Sequence, residues 1–302
     1  MLDAFPFCWA SCMIIIQEAL FIYFNTMSKE LNFNLMVDED KTDLKISQFP
    51  YVFELYNKGK TQQLTFFGTE HSSDVNNKQW KILERDWRKF VDNTQVEKRV
   101  VFLEGSPRVF SFEKYLDNNE KITGLEVVQK YGEFGAWSYF SQDDQKEVIF
   151  VDPKFNDEAE YLLRRFDKTA VSYYFFARYF GSYINKQNIT FDEALKQAVI
   201  TTHNKTHSSF SGSVEDYKKI HQQFFNHKLD EGQIEVVRKA SWPTRYDCQS
   251  NEVARQSTVF RNIYILKQIK KYWEQGKNVF ILFGAGHAVA QKPVLCDFIE
   301  NQ

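Results

Sequence analysis

Residues 279–287 read VFILFGAGH: five apolar residues run directly into two glycines and a histidine. Residues 251–275 just before them carry Val253, Val259, Ile263, Leu266, Ile269 and Trp273 at helical spacing, with Gly276 placed to end the helix. A long amphipathic helix feeding a short, wholly apolar strand is the αβ half of a parallel unit. Similar apolar runs stand at 64–67, 99–104 and 147–151, and these are expected to share one sheet with 279–283. Upstream, YVFELYN (51–57) and TQQLTFFG (61–68) flank the Gly-containing turn KGK and read as a β-hairpin. The fold expected is therefore α/β, a central mixed and partly parallel sheet flanked by helices.

Between the runs lie helical patterns. Asp74 is expected to cap a helix over 75–92 whose Trp80, Leu83, Trp87 and Phe90 share one face, and 123–140 reads as a helix relaxed by Gly132 and Gly135. The middle of the chain, Asp157 to Lys239, holds EAEYLLRRF, SYYFFARYF, DEALKQAVI and DYKKIHQQFF, a helical insertion that covers the sheet or forms a lid.

Composition narrows the function classes. Lys and Arg number 38 against 40 Asp and Glu, with no dense basic stripe, so nucleic acid is set aside as a partner. The four cysteines form no CxxC pair, which fits a reducing, cytoplasmic setting. No Pro/Gly/Ser-rich linker divides the chain, and 27–302 is expected to be one domain. Residues 1–26 differ. Phe5 to Phe24 is apolar with Glu18 as its one charge, and it is read as preceding a true start at Met27, with a membrane anchor or a packed apolar helix as alternatives.

Three strand ends carry chemistry: Gly68-Thr69-Glu70-His71, Glu104-Gly105-Ser106 and Gly284-Ala285-Gly286-His287. In open α/β sheets ligands bind beyond the carboxyl ends of the strands, and the glycines let the chain turn off each strand so that a histidine is aimed back over the sheet edge. His71, Glu104 and His287 form a ligand set suited to a divalent ion of the Zn, Mn or Co class with open positions for water. The alternative is that each histidine caps a helix or satisfies a carbonyl. A dinucleotide reading of GAGHAVA fails because Val289 replaces the third glycine and the chain has no acidic ribose partner beyond it. His203 and His207, in THNKTHSSFSG, are read as a polar loop, and His221 and His227 as surface or core-edge residues.

The order of GTEH, FLEG, YGEFGAWSYF, VDP, Arg261-Asn262 and GAGH resembles the TraB/PrgY/Tiki family and its erythromycin-esterase-like relatives over residues 50–295. That resemblance implies an α/β core and, by likeness to the Tiki members, metal-dependent hydrolysis of a peptide or small-molecule ester or amide. Other members are regulators, which keeps open a non-catalytic protein that holds a peptide in the same crevice. It places His71, His287 and Glu104 on the two motif histidines and the glutamate, and Arg261 on the motif arginine. Glu70 departs from the small or apolar residue usual before the first histidine, which leaves Glu70 and Glu104 as rival candidates for the proton-shuttling carboxylate. Arg261 is expected to pair Glu104 or hold a substrate carboxylate. Glu133 and Asn262 are expected to back the histidines, with Glu133 alternatively a helix-surface residue. A metal-free enzyme, with one histidine as base and a glutamate as its partner, is the nearest rival mechanism.

Overall fold

The computed structural model describes residues 30–38, 41–42, 46, 48–105, 124–141, 144, 147–184, 189–206 and 212–300. Five strands form one sheet: β1 (Tyr51–Tyr56), β2 (Gln63–Thr69), β3 (Arg99–Leu103), β4 (Glu147–Phe150) and β5 (Asn278–Gly284), in the order β1-β2-β5-β3-β4. β1 pairs antiparallel with β2, as the hairpin pattern requires, and every other pair is parallel. The last strand in sequence lies between β2 and β3, which explains its composition: β5 is buried along its whole length.

Alternation along the strands divides the core into two faces. Leu64, Phe66, Val100, Phe102, Val279, Ile281 and Phe283 pack on one side against helices α8 (Gln249–Glu274) and α9 (Ala285–Glu300). Phe67, Val101, Leu103, Phe280 and Leu282 pack on the other against α1 (Gln79–Asn93) and α2 (Gly124–Phe140). Trp87 meets Phe280 edge-on at 5.1 Å between ring centroids, both fully buried, so Trp87→Ala would cost about 3–5 kcal/mol through the cavity it leaves. The result is a helix–sheet–helix sandwich.

The expected apolar face of α1 is buried as read, but the helix starts at Gln79. Asp74 does not cap it; its carboxylate accepts from Asn76 N–H in a local turn, which holds the chain out of the helix for four more residues. Between β4 and β5 come α3 (Phe155–Leu163), α4 (Lys168–Ile184), α5 (Phe191–Lys205), α6 (Val214–Phe225) and α7 (Ile234–Ala240), the helical insertion. α4 is its centre, with every residue from Ala170 to Ala177 buried. A helix apolar on all sides is covered on all sides.

Two histidine readings are corrected here. His203 lies within α5, because Thr190 and Glu193 form a reciprocal cap that starts this helix firmly and it runs through Lys205; His207 lies outside the described residues. His221 is no surface residue: it is fully buried on α6, 2.6 Å from the Tyr173 hydroxyl, and burial pushes its pKa down to about 4. His227 is exposed just past that helix.

α8 is long, about 39 Å at 1.5 Å per residue, and it serves two layers. Its first half packs on α3 and α4, and its second half lays Ile265, Leu266, Ile269 and Trp273 on the sheet. The expected stripe is modified between these halves: Val259 and Ile263 are half-buried, while Ser257 and Asn262 take the buried positions. That polar interruption faces the carboxyl ends of the parallel strands. No helix among the described residues is long and apolar enough to cross a membrane, and residues 1–26 lie outside them.

Candidate active site

The carboxyl ends of β2, β5 and β3, together with the middle of α8, line a pocket of about 390 Å³. His71, Glu104, Arg261, Gly284 and His287 all face it. The strand tips thus bring together groups far apart in sequence, as parallel topology does at this edge.

Glu104 is the hub. It follows β3 by one residue, and its Oε1 accepts from Arg261 Nη2 at 2.9 Å while its Oε2 accepts from Gly284 N–H at 3.0 Å. His71 Nε2 stands 3.7 Å from Oε2, and His287 Nε2 stands 3.7 Å from Oε1. Each carboxylate oxygen therefore faces one imidazole. Burial resists ionisation of Glu104, but the cationic form of His287, Arg261, His71 and the Gly284 amide outweigh it and hold the carboxyl well below its usual range.

Both imidazoles are oriented from behind. His71 Nδ1–H donates to Glu133 Oε1 at 2.7 Å, and His287 Nδ1–H donates to Asn262 Oδ1 at 2.7 Å, an oxygen that also accepts from Gln291 Nε2 at 2.8 Å. With each Nδ1 engaged, each Nε2 is turned to Glu104. Glu133 reaches His71 because Gly132 breaks α2 at φ 57°, ψ −133°, a conformation that needs glycine; a Cβ there would also press on the Ser72 carbonyl at 3.1 Å. Gly284 has a different reason: a Cβ on it would come within 2.4 Å of His71 Nε2, so the ring lies directly over a bare backbone.

The two rings differ in charge. Burial alone would lower His71, but the hydrogen bond to Glu133 and the charges of Glu104 and Glu133 override it and raise the pKa to about 9. Burial, reinforced by the Arg261 charge, lowers His287 to about 4 against the pull of Glu104. His71 itself sits in left-handed backbone, φ 52°, which costs a non-glycine residue about 1 kcal/mol.

Arg261 joins two strand tips. Its Nη2 also donates to Asp152 Oδ1 at 2.9 Å and its Nε to the same oxygen at 3.1 Å, while Asp152 Oδ2 accepts from Gly105 N–H at 2.8 Å. The VDP strand end carries no assigned role for Asp152 in the sequence; its position two residues beyond β4, beside Glu104 one residue beyond β3, was the available signal. Glu70 lines the rim of the pocket, exposed, with its carboxylate bound by the Asn77 side chain rather than by either histidine. Ser106 is outside the described residues.

Among the described residues no group of three His, Cys, Asp or Glu side chains is drawn tightly enough to hold a metal ion as it stands. The donor chemistry nonetheless fits one: two imidazole nitrogens backed by acceptors and a shared carboxylate. The 3.7 Å separations exceed the about 3.4 Å between two ligands of a tetrahedral zinc-like ion by only a few tenths of an ångström. No family description, curated protein or solved structure matches the chain.

Proposed function

We propose that this chain is a hydrolase of the TraB/PrgY/Tiki type that cleaves an amide or ester, with His71, Glu104 and His287 as the residues that hold a divalent ion. The observation that carries this reading is the pair of imidazole Nε2 atoms facing the two oxygens of one carboxylate, each ring fixed through its Nδ1. Two nitrogen lone pairs turned to an ionised carboxylate repel it unless a cation or proton lies between them. An ion of the Zn, Mn or Co class held there supplies an activated water and polarises a carbonyl.

The chain's own groups do the rest. Arg261 neutralises Glu104 and Asp152 and fixes both oxygens of Glu104 in cooperation with the Gly284 amide. Ala285 and Gly286 open α9 at the pocket wall, where first-turn N–H groups have no intrahelical acceptor and can receive the negative oxygen of a tetrahedral intermediate. Glu133 accepts from His71 Nδ1–H and so keeps the His71 Nε2 turned to Glu104, and Glu70 at the rim meets the substrate rather than the reacting water. A second reading is favoured by the raised pKa of His71: a metal-free centre in which protonated His71 is the acid and neutral His287 the base.

Hydrolysis of 4-nitrophenyl esters and of N-acylated peptides, measured before and after chelation and metal restoration, separates the readings. Activity lost on chelation, restored by Zn²⁺, Mn²⁺ or Co²⁺ and absent in Glu104→Gln supports the metal-dependent hydrolase. Activity indifferent to chelation supports the metal-free centre. Hydrolysis of neither class, with peptide binding retained, would make the chain a binding protein.

A further inference from the structure

One charged side chain on the pocket wall has no part in the centre described above. Arg178 lies on α4, the most buried helix of the insertion, directly after the run from Ala170 to Ala177. Arg178 lines the same pocket as His71 and Glu104, with 31% of its side chain exposed. Placing an arginine in the most apolar helix is costly unless the charge is used.

Its hydrogen bonding is one-sided. Nη1 donates to Glu158 Oε1 at 3.2 Å and to the Tyr174 hydroxyl at 3.2 Å, and the Tyr174 hydroxyl in turn donates to Ser257 Oγ at 2.7 Å. Ser257 donates to the same Glu158 oxygen, so that buried carboxylate is already served by a neutral partner. Nε and Nη2 of Arg178 meet no acceptor among the described residues. The aromatic ring of Phe155, 5.9 Å from Cζ, and the Tyr174 network hold the guanidinium in place while two donors remain available. Such a fork matches the two oxygens of a carboxylate or phosphate.

From this geometry we infer that Arg178 is the recognition point for an anionic group, a carboxylate or phosphate, carried by the substrate at a distance from the scissile bond. The inference takes the pocket to be the substrate site and so deepens the hydrolase reading. It also stands as a binding claim that needs no turnover.

Calorimetric titration of the full chain with glutarate and, separately, with inorganic phosphate tests it without any hydrolysis. Wild type is expected to bind at least one of them at millimolar concentration or better, and the tighter ligand tells which oxyanion the fork prefers. Arg178→Met is expected to weaken that binding at least tenfold. Arg178→Lys keeps a cation beside Glu158 and loses the fork, so it guards against a folding defect and is expected to weaken binding about threefold to tenfold. Glu158→Gln removes the competing carboxylate and is expected to tighten binding, a result that a purely structural Arg178–Glu158 pair does not produce. If the chain hydrolyses esters, the kcat/KM ratio of 4-nitrophenyl hydrogen succinate to 4-nitrophenyl butyrate falls tenfold in Arg178→Met. No binding of either anion to wild type, or the same affinity in wild type, Arg178→Lys and Arg178→Met, overturns the inference. Absence of ester hydrolysis with anion binding intact overturns the hydrolase reading alone.

Discussion

His71 and His287 sit at the tips of neighbouring parallel strands, each three residues after a glycine, and they end in opposite electrostatic states. After Gly68 the strand continues through Thr69 and the chain leaves as a loop, so His71 stands in left-handed backbone with 54% of its side chain exposed. After Gly284 a helix begins at once, and His287 is its third residue, with 9% of its side chain exposed. Behind His71 is a carboxylate, Glu133; behind His287 is a neutral amide, Asn262. The lesson is that, with no cation bound, one sequence pattern at two strand ends favours a protonated ring in one place and a neutral ring in the other. The charge of the supporting acceptor and the depth of burial decide which.

The largest expected effect comes from breaking what the two sides share. Arg261 holds Glu104 between the rings and ties it to Asp152, and both carboxylates are mostly buried. Arg261→Met strands them, and urea denaturation should report a loss of about 3 kcal/mol. Arg261→Lys should recover part of that loss, since it keeps the charge and loses the fork.

Next in size is Gly284→Ala. The added methyl would meet the His71 ring first, at 2.4 Å from Nε2, so the His71 side of the comparison takes the main displacement. Stability should fall by about 1–2 kcal/mol, with the His71 imidazole resonances shifted more than those of His287 in the NMR spectrum.

Exchanging the supporting acceptors sharpens the contrast. Glu133→Gln should drop the His71 pKa from about 9 toward its ordinary value, and Asn262→Asp should raise that of His287 above about 4. Imidazole NMR titration of the two variants measures both. Unmoved pKa values would mean that the acceptors do not set the two states.

The smallest effect is a pair of opposing pH slopes in chelated protein. His71 is raised on folding, so its contribution is fully present below about 6.5 and is lost as pH climbs through about 9. His287 is lowered, so the folded state is favoured above about 6.5 and loses stability as pH falls through about 4. For half-exposed His71 the change is on the order of 1 kcal/mol after solvent screening. His71→Asn should flatten the alkaline slope in denaturation midpoints and leave the acid slope in place.

Much of the sheet was legible in the sequence because β2, β3 and β5 are buried on both faces, and an uninterrupted apolar run such as VFILF has few other places to go. The histidine tips were legible for a related reason: a glycine turn directly after such a run fixes where the next polar side chain emerges. Asp152 was harder to see because its partner, Arg261, lies 109 residues away, and only the β3–β4 pairing sets it beside Glu104. Arg178 was hidden by its own surroundings, since a single arginine within SYYFFARYF looks like the solvent side of an amphipathic helix. The extra burial of α4, made by α5, α6, α7 and α8 around it, converts that position into a pocket wall. The start of α1 was misplaced because Asp74 serves a local turn and a helix cap with the same side-chain oxygen, and sequence alone does not choose between them.

The central claim is that the two strand tips act jointly as one cation-binding centre. Isothermal titration of chelated protein with Zn²⁺ or Mn²⁺, in wild type, His71→Ala and His287→Ala, addresses it most directly. One ion per chain in wild type, lost or weakened at least a hundredfold in each single variant, is the outcome expected of a shared site. Equal binding in wild type and either variant would show that the two imidazoles do not meet on one ion.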